Sequence, residues 1–269
     1  MKLKSALMCH APIVIPQIAE ERRSECEKST RAMERAADFL NDSSLDLMIV
    51  ISPHTPRFNH SYGITAGESI HGDFSAFGYP GIRMTLPGDP NAVNALTEVG
   101  AQHGIAISAL KDFSLDHGAT VPLYFLAQAG WNGKTLVMSF PIRGSGEGAR
   151  CLGEAIRNYA KSSNGNIGIL ASGDMSHRIL PDAPAGYHPR AKDFDSFVSK
   201  AIQSKDYKNS IQPDRSLREL AAEDVIDSLA VALNAGNFQS SGSEFYSYEA
   251  PFGVGYLVAA LYEEEIAVQ

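Results

Sequence analysis

Three histidines stand where short apolar runs end in turn residues. His10 closes the stretch MCHAP, His54 follows in VISPHTPR, and His177 follows in ILASGDMSH. An imidazole at neutral pH can ligate a metal, accept a proton or donate one. A single histidine beside a turn is mostly a hydrogen-bonded loop residue. Three at equivalent strand ends, each beside Pro or Gly, point to one shared site. A fourth, His117, follows Asp116 in SLDHGATVPL at the start of an expected helix. There Asp116 can cap the helix, whose dipole keeps a neighbouring imidazole neutral. Glu249 lies between an aromatic run and an apolar segment, a poor place for an unpaired charge. A metal held by two neutral imidazoles would pair it. Two histidines and a carboxylate on one face of an octahedral ion are the facial triad of non-haem Fe(II) oxygenases, which leaves positions open for substrate and oxygen. The same donors suit Zn with a bound water, so a zinc hydrolase stays open. His60, His71, His103 and His188 fall in loops or at a helix end and read as solvated or, at most, substrate-adjacent.

These residues need elements to bring them together. Residues 3–9 read as a buried strand and 18–40 as a helix. Residues 45–52 (LDLMIVIS) form a continuous apolar run, the pattern of a strand covered on both faces. Residues 62–66 and 82–86 read as strands, and Asp89–Pro90 opens a helix to about residue 103, with Asp as cap and Pro at its first position. Further along, 116–129 reads as helix, 135–140 as strand, 146–161 as helix and 165–172 as strand. Residues 189–204 and 221–235 read as helices. Residues 252–262 are apolar, strand or buried helix. Such alternation implies a single-domain three-layer α/β/α fold over residues 1–269, with a mostly parallel or mixed sheet. Ligands in such folds gather at the carboxyl ends of the strands, where His10, His54 and His177 are expected. The stretches 57–80 and 178–189 read as active-site loops.

The bulk numbers narrow the field. The chain has 269 residues, 44% hydrophobic and 20% charged, enough for a sizeable core. A net charge of -8 argues against nucleic acid and anionic membranes as partners. Cys9, Cys26 and Cys151 form no CxxC pair and are odd in number, which fits a reducing, cytoplasmic setting rather than a disulfide framework. No apolar stretch approaches the length of a membrane span.

The segments HAP, SPH, LDHGATVPL, ASGDMSH and YEAPFG, in that order, resemble the class III extradiol ring-cleaving dioxygenases of the protocatechuate 4,5-dioxygenase beta-subunit type. The segment FSAFGYPGIRMTLPGDP is similar to its counterpart in the single-chain DOPA-dioxygenase branch. The resemblance implies a mononuclear Fe(II) site, with Zn as an alternative, held by His10, His54 and Glu249. It implies His177 as the acid/base and His117 as a second pocket histidine. The implied partners are a catechol or aminophenol and O2, with a homo-oligomer or a small alpha subunit both compatible. The wider superfamily includes MEMO-like proteins, and Asp174 in SGDMSH resembles that branch, so a metal-optional binding role is the alternative.

Overall fold

The computed structural model describes residues 1–111 and 113–266. Its first half runs β1 (Lys2–Met8), α1 (Pro16–Ala19), α2 (Glu27–Leu40), β2 (Leu47–Ile51), β3 (Tyr62–Thr65), β4 (Ser69–Phe74), β5 (Tyr79–Pro87), α3 (Pro90–Gln102) and β6 (Ile107–Leu110). The second half runs α4 (His117–Gln128), β7 (Thr135–Ser139), α5 (Gly146–Ser163), β8 (Ile167–Ser172) and α6 (Ala191–Gln203). It ends with α7 (Tyr207–Ser210), α8 (Arg215–Ala221), α9 (Ile226–Ala235), β9 (Glu244–Glu249) and β10 (Tyr256–Glu265).

Eight strands form one mixed sheet in the order β6-β3-β7-β2-β8-β1-β10-β9, and β4 and β5 form a separate hairpin. The central strands β7, β2, β8 and β1 are mutually parallel, so their carboxyl ends share one edge. Strands β3 and β10 run antiparallel to their central neighbours. Every residue of β2, β7 and β8 is buried, as an apolar run covered on both faces requires.

Alternate side chains build two cores. Leu47, Ile49 and Ile51 of β2 join α3, α5, α6 and α9 on one face. Met48 and Val50 join α2, α4 and the hairpin on the other. This is the three-layer α/β/α arrangement expected from the sequence. Among the described residues no helix is long and apolar enough to cross a membrane.

Several boundaries differ from the sequence reading. The helix expected over 18–40 begins as a 3-10 stretch, Glu20–Glu25, and becomes α-helical only at Glu27. The helix expected over 221–235 is broken: Ala222 adopts a left-handed conformation with φ 52°, and α9 begins at Ile226. The segment left as strand or helix is β10, which seals the sheet against β1.

Helices α5 and α9 approach closely at Gly153. A Cβ there would stand 2.5 Å from the Val231 carbonyl oxygen and 2.7 Å from the Asn234 Cβ. Gly153→Ala should therefore force the helices apart and destabilise the fold by about 1–3 kcal/mol. Chemical denaturation checks this; an unchanged midpoint would show that the two helices separate freely.

Candidate metal centre

The site forms where β1, β2 and β8 end. His10 follows β1 and is almost fully buried, its side chain 2% exposed, whereas that of His54 after β2 is 36% exposed, so the cluster opens to solvent on the His54 side. His117 is the first residue of α4. Asp116 caps that helix, accepting from Ala119 N at 3.2 Å, and also accepts from Ser52 Oγ and Thr55 Oγ1. One carboxylate thus locks the start of α4 to the loop that carries His54. Ligand nitrogens of His10, His54 and His117 all lie within 4.8 Å of one another.

A carboxylate does meet this cluster, and it is Asp224. Its Oδ2 lies 3.1 Å from His54 Nε2 and 3.4 Å from His10 Nε2, and those two nitrogens are 3.1 Å apart. Its Oδ1 accepts from Asp174 N at 2.7 Å, which fixes the direction of Oδ2. Asp174 accepts from His10 N at 2.9 Å, and Ser172 Oγ lies 3.0 Å from His10 Nδ1. The Ser172 hydroxyl donates to the Gly118 carbonyl, so it can accept from His10 Nδ1 and leave Nε2 free to ligate.

The structure does not bring Glu249, the carboxylate expected at the metal, to the histidines. Glu249 ends β9, and its Oε1 accepts from Ser29 N at 2.8 Å and Ser29 Oγ at 2.7 Å. Ser29 lies in the first turn of α2, whose own cap residue Cys26 makes no side-chain cap bond. In this arrangement its charge is met by N–H and O–H donors at a helix N-terminus. Cys9 also turns away from the cluster, with its Sγ 3.6 Å from Met33 Sδ.

His177 lies beside the cluster, on the turn after β8. Its backbone N–H donates to Ala221 O at 2.9 Å. Its Nδ1 is buried and has no hydrogen-bond partner among the described residues. Its ring lies close enough to Asp174, Asp195 and Asp224 to influence their ionisation.

Electrostatics follow from the crowding. Burial alone would depress His10, but Asp174 and Asp224 together lift it to about 9. Burial, and then the charges of His10 and His54, push His117 down to about 4. Burial raises Asp174, whereas for Asp224 the His10 charge and hydrogen bonds from His10 and His54 overcome burial and lower it. So concentrated a set of lone pairs beside a strong anion suits a cation. With bonds of about 2.1 Å, neighbouring donors on a four- or six-coordinate ion stand about 3.0–3.4 Å apart. The His10, His54 and Asp224 atoms have that spacing.

Residues 4–259 match the family described as the catalytic LigB subunit of aromatic ring-opening dioxygenase. The chain belongs to the LigB family. Among named relatives of this LigB chain, Protein CA_C1420 of Clostridium acetobutylicum is 27% identical over 264 residues, covering 95% of this chain and 56% of that protein. The 3,4-dihydroxyphenylacetate 2,3-dioxygenase of Escherichia coli is 22% identical over 169 residues, covering 60% of this chain and 61% of that protein. The chain thus spans less than two thirds of the length of either relative. An uncharacterized protein, JW3007 from Escherichia coli K12, shares the fold with a TM-score of 0.67 at 18% identity, covering 96% of this chain and 99% of that one. The three-histidine group could hold a metal ion.

Behind His177, Asp195 of α6 is 1% exposed. It accepts from Ser176 N at 2.9 Å and from the Tyr248 hydroxyl at 2.6 Å. A Cβ at Gly255 would stand only 2.1 Å from Asp195 Oδ2, so glycine makes room for the carboxylate. Burial raises Asp195 to about 6, against 3.8 for a free aspartate. The native carboxyl therefore holds its proton at pH values where the unfolded one has released it. Its contribution to stability falls as pH rises between about 4 and 6, by up to about 1.4 kcal/mol per unit. Asp195→Asn should lack this slope, gaining stability relative to the parent chain as pH rises through that window. Parallel pH-stability curves would show that Asp195 titrates normally.

Proposed function

We propose that this chain is an extradiol-type dioxygenase that opens the ring of a catechol or aminophenol with O2, using Fe(II) held by His10, His54 and Asp224. What carries the reading is the convergence of two imidazole nitrogens and one carboxylate oxygen within 3.1–3.4 Å of one another on a LigB chain. When bound, the metal supplies open positions for a chelating diolate and dioxygen, and a route for electron density between them. The 22% identical relative named as a 3,4-dihydroxyphenylacetate dioxygenase supports a substrate of that chemical class.

The protein side chains then do three things. Ser172 and the Asp174–Asp224 contact hold His10 and the carboxylate in a fixed direction, so little reorganisation accompanies substrate binding. His117, neutral at physiological pH, offers a lone pair or an N–H beside the open side of the cluster. His177, beside Asp174 and Asp224, takes the proton from the substrate hydroxyl and returns it to the opened product.

The test is oxygen uptake by anaerobically prepared, Fe(II)-loaded protein against a panel of catechols and aminophenols. Uptake with a coloured ring-opened product supports ring cleavage. Iron bound without turnover on any panel member would move the reading to a MEMO-like binding role. In the same assay His177→Ala should keep its iron and lose turnover by about 10²–10⁴-fold. Asp224→Ala should lose iron. Glu249→Ala should keep iron and lose about 1 kcal/mol of stability, the size of a helix cap. Iron loss in Glu249→Ala with retention in Asp224→Ala would reverse the assignment of the carboxylate.

A further inference from the structure

The tip of the β4–β5 hairpin holds an aromatic ring against the histidine cluster. The tip is a 3-10 turn, Ser75–Phe77, pinned from several sides. Phe74 is 0% exposed, and its ring centroid lies 6.4 Å from those of Tyr124 and Phe77. Ser75 N donates to Asp73 Oδ1 at 2.8 Å, and Gly78 N closes the turn on Ser75 O at 3.0 Å. Gly78 has φ 87°, where a side chain would strain the backbone. The Tyr79 hydroxyl donates to Glu20 Oε1 at 2.7 Å and ties the hairpin to the chain before α2.

Held this way, Phe77 remains 42% exposed. Its centroid is 5.6 Å from that of His117 at an interplanar angle of 71°, and His117 lies 4.3 Å from His54 at 30°. Three rings thus lead from the surface to the donor nitrogens. A scattered exposed phenylalanine needs no explanation. A pinned one, edge-to-face with an imidazole of the cluster, does. The other exposed large hydrophobics among the described residues are Phe58, Ile142 and Tyr187. They lie on the loops after β2, β7 and β8, which leave the carboxyl edge of the sheet where the cluster sits. Ile142 N donates to Phe58 O at 2.8 Å, joining two of those loops.

We propose that Phe77 is a specificity-determining residue whose ring packs against the ring of the bound substrate, selecting planar aromatic chelators over aliphatic ones. The inference rests on the ring-cleavage reading, because it assigns Phe77 to that same substrate. Aromatic pairs contribute about 0.5–1.5 kcal/mol beyond simple burial, a factor of about two to twelve in affinity.

The experiment titrates metal-loaded protein with 4-nitrocatechol, read by its absorbance, and separately with oxalate as an aliphatic chelator. Phe77→Ala is expected to weaken 4-nitrocatechol binding about two- to twelvefold, leave metal content and oxalate affinity unchanged, and be rescued by Phe77→Trp. Equal 4-nitrocatechol affinity in Phe77→Ala and the parent chain would overturn the inference and leave ring cleavage standing. Parallel weakening of oxalate would also overturn it, by showing a general effect on the metal. If the parent chain binds oxalate but not 4-nitrocatechol, the ring-cleavage reading fails and this inference falls with it.

Discussion

The site depends on one pair of neighbouring carboxylates being tied to each other and to His10 at the inner end of a cluster that opens to solvent beside His54. Asp174 N donates to Asp224 Oδ1, and Asp224 N donates to the Asp174 carbonyl at 3.3 Å. Asp174 Oδ1 takes the His10 backbone N–H. Two neighbouring carboxylates repel when both are charged, and the buried one, Asp174, is raised by desolvation, so the pair needs N–H or cationic partners. The N–H groups of His10 and Asp174 supply part of this, and the His10 and His54 rings face Asp224 Oδ2. The same contacts join the ends of β1 and β8 to the gap between α8 and α9, so site geometry and tertiary packing are one construction.

The sheet explains why the construction falls where it does. Strands β2, β8 and β1 are parallel neighbours, and their carboxyl ends carry His54, Asp174 and His10 into one region. His117 arrives by a different route, from the N-terminus of α4, with Asp116 bonded to Ser52 and Thr55 of the His54 loop. The hairpin, outside the main sheet, adds the Phe77 ring. A set of strand ends thus holds the histidine and carboxylate groups, and loops with a pinned hairpin tip surround them.

Glu249 and Asp224 show how a local argument can be sound and still not name the partner that a residue meets. A carboxylate among aromatic and apolar neighbours does need a partner, and Glu249 has one. The partner is the first turn of α2, reached across 220 residues of sequence, where free N–H groups stand in for a cation. Asp224 gave a weaker local signal, because AAEDVIDSLAVALNA has the spacing of an uninterrupted amphipathic helix. The break comes from the left-handed Ala222. Glu223 accepts from Arg218 Nε at 2.5 Å and from Ile226 N at 2.9 Å, bridging the gap between the helices. The acidic pair just before an apolar run was the available hint, since such residues favour helix starts over interiors.

The sequence by itself determined the alternating α/β order, the fully buried central strands and the placement of His10, His54 and His177 at strand ends. Those features follow from local hydrophobic period and turn chemistry, which act over a few residues. It also determined the Asp116 cap that opens α4. Only the tertiary structure decided that Asp224 is the carboxylate that His10 and His54 meet, and that Glu249 meets the first turn of α2. Each of those outcomes depends on which distant backbone groups are left unsatisfied when the layers pack, and no spacing along the chain encodes that.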